Sequence, residues 1–160
     1  MTQLSKKGQN LIKIALYQPD IPQNTAAIIR LCACLNANLD IIEPCGFIMN
    51  DKRFKRVCMD YIDKCTINRH KNYNEFLKKK HGRVILMTTK TNQKYYRFKF
   101  KKNDTILFGR ESEGVPQKIH ESVDFRLTIP IQKNTRSLNI VSSIAITLSE
   151  AIRQNLSISK

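Results

Sequence analysis

The sequence predicts an α/β domain with a mostly parallel sheet flanked by helices. Short aliphatic runs alternate with segments of helical periodicity, and the connections between them are short. No repeat or linker divides the chain, and its 160 residues, 41% of them hydrophobic, match the size and apolar content of one domain. We therefore expect residues 1–160 to form a single domain, with residues 1–10 flexible.

The N-terminal part predicts a strand, a helix and a second strand. Residues 11–17 are a mostly apolar run, typical of a buried strand. Two prolines within residues 18–23 end the strand, since proline cannot donate to a sheet ladder. Asn24-Thr25 provides capping side chains, so we predict that the first helix begins there. Residues 39–43 then form a second strand.

The central part predicts two helices and two strands in alternation. Residues 52–57 can form a short basic helix, and residues 65–68 form a weak strand. Residues 73–80 form a helix whose last turn carries three lysines, which favours the helix dipole. Residues 83–88 are a strong strand prediction because they are almost entirely apolar.

The C-terminal part continues the same alternation. Residues 105–109 form a strand, a short helix follows Pro116, and residues 125–129 form the final strand. A long helix over residues 138–155 carries one apolar stripe at helical spacing.

Positive charge is concentrated in the middle of the chain. The net charge is +15, and residues 51–102 contain 17 Lys and Arg against 4 acids. Such asymmetry favours a polyanion, most simply the phosphates of a nucleic acid. The bias of an AT-rich genome towards Lys, Ile and Asn codons would produce a similar composition.

The composition also argues against several classes of protein. No apolar run approaches the ~18 residues of a membrane span, and the start lacks a secretory signal, so we expect a cytoplasmic protein. Zinc-ligand spacing, a Walker motif and the common hydrolase motifs are missing from the sequence, so no metal site is expected. Five cysteines at irregular spacings are interpreted as small buried apolar side chains: Cys32, Cys34, Cys45, Cys58 and Cys65.

Two segments could carry chemistry. Residues 109–116 follow a predicted strand and hold two glycines, which would let the backbone approach a ligand; a plain glycine turn is the alternative. Residues 94–102 interleave cations with aromatic rings, as RNA-binding surfaces do. The alternative, which we favour for the rings, is a short edge strand whose alternate rings face the core.

Taken together, several stretches resemble the SPOUT (trefoil-knot) RNA ribose 2′-O-methyltransferases, most closely the small tRNA wobble-nucleotide enzymes of the TrmL type. One stretch alone would be weak, but all of them occur in order between residues 14 and 154. The matching stretches are 15–25, 28–33, 41–47, 51–53 with 60–61, 86–90, 107–116, and 129–131 with 136–139.

The resemblance implies a C-terminal trefoil knot over about residues 83–155, S-adenosylmethionine as cofactor, and a homodimer acting on the wobble ribose (position 34, cytidine or uridine) of tRNA. Its active sites would lie at the subunit interface. Carried over position by position, the cofactor contacts would come from nine residues: Met87, Thr88, Gly109, Arg110, Glu111, Ile129, Ile131, Ser137 and Leu138.

The resemblance also assigns a catalytic residue, Arg30. Because an arginine is a poor free base, we interpret its role as positioning the ribose hydroxyl and a nearby phosphate. Asn24, Asn139, Lys52 and Arg53 would bind the RNA or shape the site.

Three departures from the family pattern bear on activity. Ala26-Ala27 stands where relatives usually have Gly-Asn, Ile140-Val141-Ser142 where they commonly have Leu-Ser-Asn, and Ser149 where they have a tyrosine. Two alternatives therefore stay open. One is a 2′-O-methyltransferase for another tRNA or rRNA site, and the other is a basic RNA-binding module with weakened catalysis.

Overall fold

The computed structural model describes residues 12–156, so the predicted flexibility of residues 1–10 lies outside the described residues. Six parallel strands form a single sheet in the order β3-β2-β1-β5-β4-β6, which confirms the predicted mostly parallel α/β class. In chain order the strands are β1 (Lys13–Tyr17), β2 (Asn38–Ile42), β3 (Ile67–His70), β4 (Val84–Met87), β5 (Thr105–Phe108) and β6 (Phe125–Leu127).

Helices cover both faces of the sheet. Successive strand residues point to opposite faces, so Ile14 joins the core cluster of α1, α2 and α5, whereas Ala15 joins that of α3 and α4. Burial on both faces explains why the central strands are apolar without alternation. The helices are α1 (Pro22–Leu35), α2 (Lys52–Cys58), α3 (Tyr73–Lys79), α4 (Gln117–Ser122) and α5 (Ile140–Asn155).

The predicted start of α1 at Asn24-Thr25 is wrong by two residues. The helix begins at Pro22 after Ile21, and no side chain caps it. Proline suits the first helical position because its φ is already helical and its missing N–H is not needed there. The side chain of Asn24 is consequently free to make contacts outside the helix.

The predicted edge strand over residues 94–102 is also wrong. Tyr95–Arg97 forms a 3₁₀ turn, and only Lys94 pairs with the sheet region, through a single bridge to Thr128. The expectation that alternate rings face the core is confirmed for Phe98 and Phe100, which are buried. A short turn with buried rings replaces the ladder because the following backbone hydrogen-bonds to a side chain of α5 instead of a strand.

The cysteine interpretation holds for three of the five residues. Cys32, Cys58 and Cys65 are buried, Cys45 is half-buried, and Cys34 is exposed on α1. Cys34 lies on the outer face of a helix that buries only one side, so helical geometry places it in solvent. Among residues 12–156, no helix combines the length and apolar character that crossing a membrane requires.

Because all six strands are parallel, their carboxyl ends meet at one edge of the sheet. The chain leaves this edge after β4, β5 and β6, and the last of these connections leads into α5. Asn139 begins α5 by accepting a hydrogen bond from the Val141 N–H at 2.8 Å. The three connections therefore lie side by side, where the sequence predicted the chemistry.

Candidate active site

A cleft of about 640 Å³ opens at the carboxyl ends of β4 and β5. This volume lies within the range of small-molecule sites. Asn24 and Asn139 line the cleft, as do all nine residues predicted to contact the cofactor: Met87, Thr88, Gly109, Arg110, Glu111, Ile129, Ile131, Ser137 and Leu138.

The loop after β5 forms one wall of the cleft as a closed turn. The backbone groups of Arg110 and Gly114 exchange two hydrogen bonds, at 3.0 and 2.8 Å. A Cβ on Gly109 would lie 2.6 Å from the carbonyl carbon of Gly114, so only glycine permits this approach. Gly114 has a φ of +73°, which favours glycine for a different reason. The two glycines of the sequence motif therefore close the turn and keep the cleft open.

Asn24 links three segments that are distant in sequence. Its Nδ2 donates to Glu111 Oε1 at 3.4 Å, and its Oδ1 accepts from Asn139 Nδ2 at 3.2 Å. Because Asn139 also caps α5, one amide joins the first helix, the glycine loop and the start of the last helix. This network fixes three sides of the cleft relative to one another.

Asp20 and Glu111 form a carboxyl pair beside the network. The Asp20 N–H donates to Glu111 Oε2 at 3.1 Å, and Ser112 Oγ donates to Asp20 Oδ2. Burial, reinforced by the neighbouring Asp20, raises the pKa of Glu111. Burial alone would raise the pKa of Asp20 as well, but hydrogen bonding with Glu111 and Ser112 holds it below its usual range. The pair thus separates an acidic from a more basic carboxyl at the rim of the cleft.

Arg110 carries a donor that no residue from 12 to 156 uses. Its Nη2 donates to Gln18 Oε1 and its Nη1 contacts Glu113 Oε2 at 3.5 Å. Its buried Nε has no hydrogen-bond partner among the described residues. An unsatisfied buried donor is costly, so this atom suits an acceptor on a ligand.

Sequence reasoning missed several residues of the cleft. His120 of α4 lines it, and its Nε2 lies 3.3 Å from Thr88 Oγ1. Asp20 and Gln18 hold the glycine loop from the connection after β1. The sequence places Gln18 and Asp20 in a strand break and in a stretch that matches the family, but it assigns neither a contact with the glycine loop. No local motif marks His120, because its relation to Thr88 arises from the fold.

Arg30 lies outside the cleft. It is exposed on α1, and its guanidinium carbon lies 5.0 Å from the ring centroid of Tyr61. The ammonium of Lys64 lies 5.7 Å from the same centroid. The ring therefore contacts two cations, and Arg30 is held over an aromatic surface and does not point into the cleft of its own chain.

Lys52 and Arg53 also lie outside the cleft, in the first turn of α2. Both are exposed, and Arg53 donates to the carboxylate of Asp51 from Nε and Nη2, at 3.3 and 3.1 Å. The pair lowers the pKa of Asp51 through hydrogen bonds from Arg53. Arg53 thus forms a solvent-exposed ion pair with Asp51, and its side chain stays 90% exposed.

The comparisons with known proteins agree on one family. The model of the SpoU rRNA Methylase family matches residues 11–149. A tRNA (cytidine(34)-2'-O)-methyltransferase from Beijerinckia indica subsp. indica is 45% identical over 144 residues, covering 88% of this chain and 90% of that protein.

Solved structures extend the similarity to the fold. One, described as "Structural insights into the 2-OH methylation of C/U34 on tRNA", has a TM-score of 0.87 at 32% identity and covers 92% of this chain and 97% of that chain. The SpoU methyltransferase AviRb from Streptomyces viridochromogenes, in complex with AdoMet, shares the fold with a TM-score of 0.83 at 19% identity, over 94% of this chain and 60% of that chain. With the family match spanning most of its length, the chain belongs to the SpoU rRNA methylase family.

Proposed function

We propose that this protein transfers a methyl group from S-adenosylmethionine to the ribose 2′-hydroxyl of the wobble nucleotide, cytidine or uridine 34, of tRNA. The observation that carries the proposal is the convergence of all nine predicted cofactor residues on one cleft. The tRNA substrate is supported by the name of a relative that is 45% identical over most of the chain. A cytoplasmic location is part of the same proposal, and the tRNA substrate supports it.

The cleft suits S-adenosylmethionine in shape and chemistry. The closed turn from Gly109 to Gly114 lets backbone groups approach a ligand, and Arg110 offers an unused buried donor. Apolar Ile129 and Leu138 line the same space and suit an adenine ring. When bound, S-adenosylmethionine supplies an electrophilic methyl group, so neither a metal nor a covalent intermediate is required.

The protein's own contribution is alignment. The hydrogen bonds that join Asn24 to Glu111 and Asn139 fix three sides of the cleft relative to one another. A fixed cleft can hold the methyl donor and the ribose hydroxyl in line, which is the main requirement for methyl transfer. Arg30 would orient the ribose hydroxyl and a nearby phosphate, because a planar guanidinium can bind both. Burial raises the pKa of Glu111, which lines the cleft, so this carboxylate takes up a proton more readily than a solvent-exposed one would.

Arg30 would act in a partner's cleft within a homodimer. Its exposed position outside its own cleft supports an active site that two chains complete. A trefoil knot over about residues 83–155 is part of the same proposal. It is supported by the contact of Gln154 and Asn155, at the end of α5, with the backbone of residues 98–100 in the connection between β4 and β5.

Mass spectrometry of tRNA nucleosides tests the proposal. Purified protein is incubated with S-adenosylmethionine and tRNA lacking wobble methylation, and 2′-O-methylcytidine or 2′-O-methyluridine is expected at position 34. Methylation at another position, or of rRNA only, would replace the wobble assignment. Cofactor binding without any methylated product would favour a weakened enzyme that acts as an RNA-binding module.

The matched variants are Arg30→Lys and Arg30→Ala. If the planar guanidinium positions the hydroxyl, both lose turnover while keeping S-adenosylmethionine affinity, since the contacts proposed for Arg30 are with the ribose and a phosphate of the RNA and not with the cofactor. Full turnover in Arg30→Lys would remove that role.

A further inference from the structure

The connection between β4 and β5 carries a continuous run of positive charge. No acid occurs from Thr88 to Asn103, and the run contains six cations, all exposed. We call these six residues the basic strip: Lys90, Lys94, Arg97, Lys99, Lys101 and Lys102.

The charges of the basic strip are not balanced by the protein. Elsewhere acids pair with neighbouring cations, as Glu75 does with Lys79 and Asp104 with Arg83. Within residues 12–156, no member of the strip forms an ion pair. Keeping six like charges together costs electrostatic free energy, and an external polyanion would offset that cost.

The fold holds the strip in a fixed orientation. Phe98 and Phe100 are buried, and the Gln154 side chain bonds to both backbones: the Phe100 N–H donates to Oε1 at 2.9 Å, and Nε2 donates to the Phe98 oxygen at 3.0 Å. Lys99 and Lys101 alternate with these rings and therefore project outward. A fixed cationic surface loses less conformational entropy on binding than a flexible tail.

The strip begins at the cleft and runs away from it. Lys90 lines the cleft, and the Tyr95 N–H donates to the oxygen of Thr128, another cleft residue, at 3.0 Å. At the other end, the Lys101 N–H donates to Asp104, next to the amino end of β5. Four-residue strands span about 13 Å, the rise of about four duplex nucleotides, so the strip can follow several phosphates.

Exposed Tyr96 adds a second kind of contact. Its side chain is 48% exposed and lies edge-to-face against Tyr95, with ring centroids 5.6 Å apart. A supported, exposed ring among cations can stack on an unpaired base.

We propose that the basic strip binds the sugar–phosphate backbone of the substrate RNA and guides its reacting nucleotide to the cleft, with Tyr96 stacking on an unpaired base. This inference rests on the proposed function for the identity of the RNA. It shifts the main RNA contact from Lys52 and Arg53 to the connection between β4 and β5. Of those two residues, Arg53 is paired with Asp51, whereas Lys52 and all six members of the strip form no ion pair among residues 12–156.

The test variant is Lys99→Gln/Lys101→Gln/Lys102→Gln, and its matched control is Lys71→Gln/Lys78→Gln/Lys118→Gln. Both remove three exposed charges, but the control acts near α3 and α4, on the opposite face of the sheet. Binding of unmodified tRNA is measured by fluorescence anisotropy between 50 and ~200 mM salt, a range in which phosphate contacts are well resolved.

The strip variant should bind tRNA at least about tenfold more weakly, with its log–log salt slope reduced by about 2 to 3. S-adenosylmethionine affinity should be unchanged, and in methylation assays KM should rise while kcat stays near the wild-type value. Tyr96→Ala should weaken tRNA binding about fivefold or more, whereas Tyr96→Phe should not.

An unchanged salt slope, or equal losses in the control, would overturn the strip as the RNA surface. If the strip variant loses binding to anionic vesicles but still binds tRNA as the wild type does, the basic strip would be a membrane-binding surface instead. The tRNA-binding measurement needs no catalysis, so the two proposals fail separately. Strip-dependent binding without methyl transfer contradicts only the proposed function, and methyl transfer with strip-independent binding contradicts only the strip.

Discussion

Replacing Gly109 by alanine should damage the cleft proposed for the cofactor more than replacing Gly114. At Gly109 the new Cβ would lie 2.6 and 2.7 Å from the carbonyl and Cα carbons of Gly114 and 2.9 Å from the nitrogen of Val115. All three are backbone atoms, so no side-chain rotation relieves the overlap. At Gly114 nothing lies within 4 Å of the position that an alanine methyl would take, and only the φ of +73° disfavours alanine.

The magnitudes follow from these contacts. Moving the two backbone segments apart weakens both hydrogen bonds of the closed turn, at about 1 kcal/mol each. A loss of about 2 kcal/mol in the ligand-competent loop corresponds to about a 30-fold weaker affinity for S-adenosylmethionine. A left-handed alanine at position 114 costs about 1 kcal/mol, which corresponds to about fivefold.

Isothermal titration calorimetry with S-adenosylmethionine compares the two variants, and circular dichroism confirms that both are folded. We expect Gly109→Ala to bind several times more weakly than Gly114→Ala. If Gly109→Ala binds as tightly as wild type, the loop relaxes without cost, and the close backbone approach does not shape the site.

Three other outcomes are expected. Arg83→Met removes two hydrogen bonds from the buried carboxylate of Asp104 and should lower the free energy of unfolding by about 3 kcal/mol. Denaturant unfolding measures this difference, and a variant as stable as the wild type would contradict the prediction. Hydrogen bonds from an arginine and a glutamine of α5 lower the pKa of Glu150 from 4.5 to about 2, so its stabilisation is present above about pH 4.5 and fades towards pH 2. Glu150→Gln should therefore be less stable than wild type at pH 7, with the gap closing on acidification, and parallel pH curves would refute this. Tyr61→Leu removes the ring beneath Arg30 and should lower kcat about two- to fivefold, whereas Tyr61→Phe keeps the ring and should keep the wild-type kcat. Equal kcat values in the wild type and both variants would exclude a role for the Tyr61 ring in positioning Arg30.

The architecture was predictable because burial leaves a strong local signal. The strands and helices alternate as expected. Residues 84–87 and 105–108 are apolar enough to be predicted as strands from their own sequence, without the flanking segments. Boundaries were less accurate where proline chemistry competes with capping. Pro22 begins α1 two residues before the predicted cap, because proline's fixed φ already suits a helix start.

The candidate site was predictable where backbone geometry requires particular residues. The glycines of the loop after β5 are such residues, and the resemblance placed the remaining contacts along one edge of the sheet. Contacts between distant side chains left no local trace: the bonds from Asn24 to Glu111 and Asn139 span 87 and 115 positions. Charge counting alone could not separate Arg53, which is paired with Asp51, from Lys99, which forms no ion pair among the described residues, because the pairing is visible only in three dimensions.

The hydrogen bonds between the Gln154 side chain and the backbone of Phe98 and Phe100 bear on how a newly synthesised chain folds. Synthesis proceeds from the amino terminus, so these backbone groups leave the ribosome 54 and 56 positions ahead of the amide that pairs with them. The parallel sheet can assemble beforehand, since all its strands precede α5. Because α5 also buries Ile144, Leu148 and Ala151 in one core cluster, we expect nascent chains to complete that core cluster and the cleft together, when α5 docks.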